Sequence, residues 1–161
     1  MGLFDKIKSL FVPSEEETKI TKEKIRAFMK QALKKDDLPG FEIVYGKLAE
    51  TKDTLLTRKT QYNNYAIAFN NVTMELIILP VDPKLASCGW PVYITNETLK
   101  SAKTVAFGTA YSFDLKDGDN IMFSIPAQNY KIGKLLGAME LPIMQEKEAW
   151  SFKEFFKAKF G

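Results

Sequence analysis

The chain has 161 residues, 45% of them apolar and 27% charged, which fits one globular domain with a real core and is short for two. It contains no histidine and a single cysteine, Cys88. Those two counts exclude an internal disulfide, a Ser-His or Cys-His nucleophile pair and a mixed Cys/His zinc site. A chain without disulfides suits a reducing compartment, and Cys88 reads as a small, semi-buried residue with no adjacent positive side chain to activate its thiol.

The net charge is +3, and the excess sits at the two ends. Nine basic groups face seven acidic ones in residues 1–40, eight face nine in 41–128, and six face four in 129–161. Only Arg26 and Arg58 are arginines. Phosphate and base-edge recognition leans on arginine forks, so a nucleic-acid partner is not expected. The longest apolar run, Leu76 to Val81, is strand-sized and far from the roughly 20 residues of a membrane span. The start lacks the segments of a secretory signal, so the sequons at Asn71 and Asn96 read as chance matches.

In chain order, the first expected element is a short helix over residues 2–11. At 100° per residue Leu3, Phe4, Ile7, Leu10 and Phe11 fall in one arc, with Asp5, Lys6, Lys8 and Ser9 opposite, and Pro13 ends it. Ser14 with Glu17 reads as a capping box, and Glu15 to Glu17 suit a helix N-terminus or a solvated hinge within a flexible joint from Val12 to Lys19. A second helix follows. Ile25, Phe28, Met29, Ala32 and Leu33 keep helical spacing, with Thr21 as N-cap and Ile20 stapled to Ile25. It stops before Leu38-Pro39-Gly40, and Lys22, Lys24, Arg26 and Lys30 form a solvated face.

From Phe41 the period is two. Phe41, Ile43 and Tyr45 alternate with Glu42 and Val44. Leu55–Thr60, Tyr65–Phe69 and Met74–Val81 read as three more strands, with turns at Asn63-Asn64 and Asn70-Asn71. Asp82 to Pro91 is a loop. Val92-Tyr93-Ile94 opens a fifth strand or a short connection into Leu99, and Val105-Ala106-Phe107 is expected to extend it past a bend. Tyr111–Leu115 and Ile121–Ile125 bracket Asp117-Gly118, a strong hairpin signal. Leu135 to Met139 reads as a helical turn and Leu141-Pro142-Ile143 as an irregular connector. The last helix runs from Gln145 to Lys159, with Ala149, Phe152, Phe155, Phe156 and Phe160 on its core face and Trp150 to the side.

The residues that invite chemistry do not assemble a motif. Asp114, Asp117 and Asp119 lack the spacing and late glutamate of a calcium loop, so they read as a solvated hairpin tip. Gly133-Lys134 lacks the rest of a phosphate loop, and the Gly133 and Gly137 pair has no membrane span around it. Glu42, Glu50, Glu75 and Glu97 are scattered over strands and loops. No catalytic residue, metal or cofactor is expected.

The N-terminal segment is the remaining functional signal. A basic amphipathic helix with Leu, Ile and Phe on one face can lie in a membrane interface. Burial against the domain, or at a homodimer interface, explains the same pattern. Gly2 is not a myristoylation site, because Lys6 stands where that signal wants Ser or Thr. Gly2 to Lys8, read Gly-Leu-Phe-Asp-Lys-Ile-Lys, resembles the opening of short frog-skin membrane-active peptides. The candidate contact residues are therefore Leu3, Phe4, Lys6, Ile7, Lys8, Leu10 and Phe11.

After residue 40 come about seven short strands, largely hairpin-connected, and one amphipathic helix. Tyr93 to Ala102, then Tyr111 to Leu115, Lys116-Asp117-Gly118-Asp119 and Ile121 to Ile125, carry a pattern that resembles the pleckstrin-homology-like barrel of bacterial PH and GRAM-type domains. The resemblance spans roughly residues 41–160, and with the helices read before it the chain is expected to be α+β: two N-terminal helices, then a mostly antiparallel seven-strand PH-like barrel or sandwich closed by a C-terminal amphipathic helix. Its domain plan is an amphipathic helix over 1–13, a linker and second helix over 14–40, and the β domain with its helix over 41–161. Where such domains hold phosphoinositides with a Lys/Arg cluster, this chain offers Lys47, Lys52, Arg58 and Lys59 interrupted by Glu50 and Asp53. The expected function is a non-catalytic interaction module, cytoplasmic or peripheral on the inner face of the membrane. Its expected partner is a protein, a second copy of the chain or a membrane surface. The alternative is a small-ligand carrier or enzyme with a carboxylate and tyrosine in the barrel mouth.

Overall fold

The structure is a computed structural model that describes residues 2, 3, 12–48, 64–82, 85–129 and 142–161. Helix α1 spans Glu15–Leu33. Ser14 starts it with both halves of a capping box: its Oγ accepts from the Glu17 amide at 3.1 Å, and its own amide donates to Glu17 Oε1 at 3.3 Å. Three glutamates fill the first turn, where the helix dipole favours them. Lys34 closes the other end in the left-handed region, φ 55°, with its amide on Gln31 O and the Lys35 amide on Lys30 O.

The helix therefore begins six residues before Thr21, the N-cap expected from sequence. Thr21 is buried on the inner stripe with Thr18, Ile25, Met29 and Leu33, and Ile20 is exposed rather than stapled. Ser14 prevails because it supplies a reciprocal cap, which Thr21 does not. Residues 15–19, read as part of a flexible joint, are helical. The expected first helix falls on residues 2–11, of which only Gly2 and Leu3 are described. Among the described residues one full helix precedes the sheet, not two.

Seven strands follow: β1 Phe41–Leu48, β2 Asn64–Asn70, β3 Leu76–Val81, β4 Val92–Tyr93, β5 Leu99–Val105, β6 Ala110–Leu115 and β7 Asn120–Ser124. They form one antiparallel sheet in the order β4-β3-β2-β1-β7-β6-β5. The two hairpin runs meet where the end of β1 pairs with β7, at Lys47 with Ser124 and Leu48 with Phe123. Pro126 follows, and a residue with no N–H cannot continue that ladder. A small ribbon of β8 (Gln128–Asn129) and β9 (Ile143–Met144) leads into α2, Glu146–Phe160.

The sheet cannot be flat. Seven strands about 4.8 Å apart would place β4 roughly 29 Å from β5, while residues 94–98, which join them, span at most about 20 Å. The sheet curls instead, and Phe69, Ile78, Phe113 and Phe123 from distant strands meet Phe152, Phe155 and Phe156 of α2 in its concave face. Among the described residues no ladder joins β4 to β5, so the curl stops short of a closed barrel.

Strand β2 is buried along its whole length. Its large residues Tyr65, Ile67 and Phe69 point to the α2 side, and its small ones, Ala66 and Ala68, to the α1 side. Alanine there lets α1 lie close, so Ile25, Met29 and Leu33 pack with Tyr45, Ile77 and Leu79 in a second core on the convex face. Arg26 is not merely a solvated face residue. Its guanidinium donates to Leu38 O at 2.9 Å and Phe41 O at 3.1 Å, fixing the link from α1 into β1.

The expected hairpin forms as β6 and β7, with Tyr111 opposite Phe123 and Gly118 at φ 98° in the turn. Three expectations shift. Ala106 and Phe107 do not extend a strand, because β5 ends at Val105 and residues Ala106–Gly108 make a tight turn. Leu141-Pro142-Ile143 is not simply irregular, since Ile143 and Met144 pair with β8. Cys88 is exposed, held in place by a single backbone bridge to Val81. The expected strand over 55–60 and helical turn over 135–139 lie outside the described residues.

Candidate functional site

Of the residues expected to make contact, Leu3 is 76% exposed. Phe4, Lys6, Ile7, Lys8, Leu10 and Phe11 lie outside the described residues. Pro13 is buried and Ser14 caps the start of α1. A groove of about 440 Å³ opens there between Thr18, Lys19, Lys22 and Met144. The ribbon is tied to α1 where the Met144 amide donates to Thr18 Oγ1 at 3.1 Å. An ion pair of 2.6 Å from Lys22 to Glu148 links the two helices. It is partly exposed and contributes at most about 1 kcal/mol.

The carboxylates do not converge on a tyrosine. Glu42 accepts from Ser151 Oγ and Asn71 Nδ2, both at 2.7 Å, and Glu75 accepts from Thr73 Oγ1 at 2.7 Å. Glu97 is exposed in the turn before β5. Glu50, Lys52, Asp53, Arg58 and Lys59 lie outside the described residues. Among the described residues no carboxylate is buried. The buried tyrosines belong to the core: the Tyr45 hydroxyl donates to Asn64 Oδ1, and burial pushes the Tyr65 and Tyr111 phenols above their usual pKa.

At the hairpin tip Asp117 Oδ1 accepts from the Asp119 amide at 2.9 Å, a local turn bond. Asp114 is separate from it. Its carboxylate accepts from Asn120 Nδ2 at 2.6 Å and Ser101 Oγ at 3.1 Å. Those two hydrogen bonds, aided by Lys103 and Lys100, hold its pKa below the ordinary aspartate value. The ionised form is favoured in the folded state, so its stabilising effect is complete above the ordinary value and fades as pH falls through the lowered one. In a carboxyl-carbon NMR titration Asp114 should therefore have its midpoint below that of an ordinary aspartate. The stability difference between the protein and Asp114→Asn should shrink as the solution is acidified. A midpoint at or above the ordinary value would contradict this reading of the two bonds.

One surface escaped the sequence reading. A cleft of about 790 Å³ lies between the Ala106–Gly108 turn and the outer side of α2. Tyr111, Ile125 and Ala149 form its apolar part, with Trp150, Lys147 and Lys153 along the helix. Trp150 is 62% exposed with the Lys153 ammonium 5.6 Å from its ring centre, and Phe107 is 107% exposed on the turn. The available signal was Gly108-Thr109 directly after an apolar Val-Ala-Phe run, which marks a turn rather than a strand. Trp90, 89% exposed, stands apart in the loop before β4. Comparison with known proteins gives no match: no family model, no curated protein and no solved structure aligns with the chain.

Proposed function

We propose that this chain is a non-catalytic interaction module, a PH-like open barrel that works at the cytoplasmic face of a membrane through its amphipathic segment Leu3 to Phe11. The observation that carries the non-catalytic part is the concave side of the sheet. Where a carrier or enzyme of this shape would keep a pocket, Phe69, Tyr111, Phe113, Phe123 and Phe152 fill the space ring against ring, at centroid distances of 4.8 to 6.0 Å. Burial of a carboxylate beside a tyrosine, which the alternative needs, has no counterpart among the described residues.

The membrane part rests on the sequence pattern of residues 3–11 and on the exposure of Leu3. Among the described residues no helix is long and apolar enough to cross a bilayer, so contact would be peripheral. Vesicle co-sedimentation tests it with the full chain and the double variant Ile7→Glu/Phe11→Glu. The unchanged protein should pellet with vesicles rich in phosphatidylserine, and the variant should bind at least tenfold more weakly, because each glutamate replaces a side chain whose burial drives adsorption. Failure of the unchanged protein to bind any vesicle would overturn the membrane reading. A mass that rises with concentration in sedimentation equilibrium would then assign the segment to self-association.

A further inference from the structure

The turn between β5 and β6 holds an aromatic ring in solvent at the expense of backbone strain. Ala106, Phe107 and Gly108 take φ values of 50°, 59° and 81°, so three consecutive residues sit in the left-handed region. Only the glycine adopts it freely. The Thr109 amide and hydroxyl both donate to Ala106 O, at 3.2 and 2.6 Å, and lock the tip. The locked tip carries Phe107 fully exposed, and the ring takes no part in the wall of the neighbouring cleft. Such strain is tolerated where the displayed side chain has a use.

Beside it, α2 turns Trp150 outward between Lys147 and Lys153, both one turn or less away along the same exposed face. Among the described residues Glu146 is the one acid that lines this cleft. A protruding phenylalanine, a half-exposed tryptophan and flanking lysines combine the groups that enter the acyl boundary, rest at the headgroup level and pair with anionic headgroups. A groove for a peptide would enclose its aromatic wall, whereas here Phe107, the more exposed of the two rings, stands clear of the groove.

We propose that the Phe107–Trp150 face is a second membrane contact, with Phe107 inserted into an anionic bilayer, Trp150 at its interface and Lys147 and Lys153 on its headgroups. This rests on the peripheral-membrane reading above but uses residues more than 90 positions from the N-terminal segment. Two contacts carried by one chain reinforce each other, and neither alone need bind tightly.

The test uses the full chain with Trp90→Phe, which leaves Trp150 as the sole tryptophan. On vesicles containing phosphatidylserine, Trp150 emission should move to the blue and be quenched by lipids with brominated acyl chains. Adding Phe107→Ser should weaken binding about tenfold, the loss of one buried phenylalanine. Adding Lys147→Gln or Lys153→Gln should weaken it about fivefold each, and only on anionic vesicles. Vesicle binding with unmoved Trp150 emission and no effect of Phe107→Ser overturns the second contact and leaves the N-terminal reading intact. Quenching that persists in Ile7→Glu/Phe11→Glu supports the second contact, and if the affinity is also undiminished it overturns the first. No binding to any vesicle overturns both. Phe107→Ser lies on an exposed tip, so an unchanged thermal midpoint will show that the fold is not what it alters.

Discussion

Replacing Phe152 with alanine should cost about 4 kcal/mol of stability, while replacing Trp150, two residues earlier on the same helix, should cost less than about 1 kcal/mol. Phe152 is fully buried and meets rings on three strands as well as on its own helix. Its centroid lies 5.2 Å from Phe69 on β2, 4.8 Å from Tyr111 on β6, 6.0 Å from Phe123 on β7 and 5.8 Å from Phe155. The first two contacts are edge-to-face, at 84° and 86°, the arrangement that the ring quadrupole favours. These neighbours sit on strands that belong to different hairpin runs, so they cannot all move into the space that alanine would leave. The result is a cavity rather than a repacked core. A drop of about 4 kcal/mol corresponds to roughly 8–16 °C in thermal midpoint for a domain of this size. Urea unfolding and calorimetry on both variants will measure it. The reading of α2 as the plug of the concave face would be wrong if Phe152→Ala cost no more than Trp150→Ala.

Much of this was legible in the sequence, for local reasons. Helical spacing of Phe152, Phe155 and Phe156 identifies the buried face of α2, and Asp117-Gly118 identifies the β6–β7 turn, because each signal is complete within a few residues. The start of α1 was legible only in part. Ser14 and Glu17 were recognised as a cap, but the apolar pattern weakens between Glu15 and Thr21. The buried residues there are Thr18 and Thr21, polar side chains, and Thr18 accepts from the Met144 amide of β9. A hydrophobic period cannot register a threonine that is buried by a partner distant in sequence.

The place of α1 in the fold was not legible at all. Ala66 and Ala68 read simply as small strand residues, whereas in the structure they form the floor on which α1 packs. The segment expected to be a linker and second helix thus contributes half of a core. The Phe107–Trp150 surface was missed for a related reason. Trp150 belongs to a helix and Phe107 to a turn more than 40 residues away, and only the curl of the sheet brings the two beside one cleft.

Gln145 is the other residue whose role no local pattern reveals, and Gln145→Met should destabilise the protein by roughly 3–5 kcal/mol, although methionine matches its length and apolar volume. The cause lies in β1. Over Phe41–Lys47 that strand pairs with β2 on one side, but on the other, among the described residues, it meets β7 only at Lys47 and Leu48. Tyr45, fully buried, therefore has an N–H and a C=O facing a gap in the sheet. The Gln145 carboxamide fills it as a neighbouring strand would. Its Oε1 accepts from the Tyr45 amide at 2.9 Å, and its Nε2 donates to Tyr45 O at 2.7 Å and Pro126 O at 2.9 Å. The Gln145 backbone meanwhile donates to Ala127 O and accepts from the Ala149 amide, both at 2.8 Å, so one residue joins β1, the end of β7 and the first turn of α2. Methionine would remove the Gln145 side-chain hydrogen bonds to the Tyr45 amide and to the Tyr45 and Pro126 carbonyls, and each hydrogen bond lost in a buried setting costs about 1–3 kcal/mol. Gln145→Glu should be destabilising as well, since a carboxylate can accept from Tyr45 but would face two carbonyl oxygens it cannot donate to. Urea unfolding will give the total loss. Amide exchange adds a readout that a general packing defect would not produce, because the Tyr45 amide should lose protection out of proportion to Ile67 and Ile78, whose strands keep their ladders. A loss under about 1 kcal/mol, with Tyr45 still protected, would mean that the gap in the sheet is bridged by something other than this side chain.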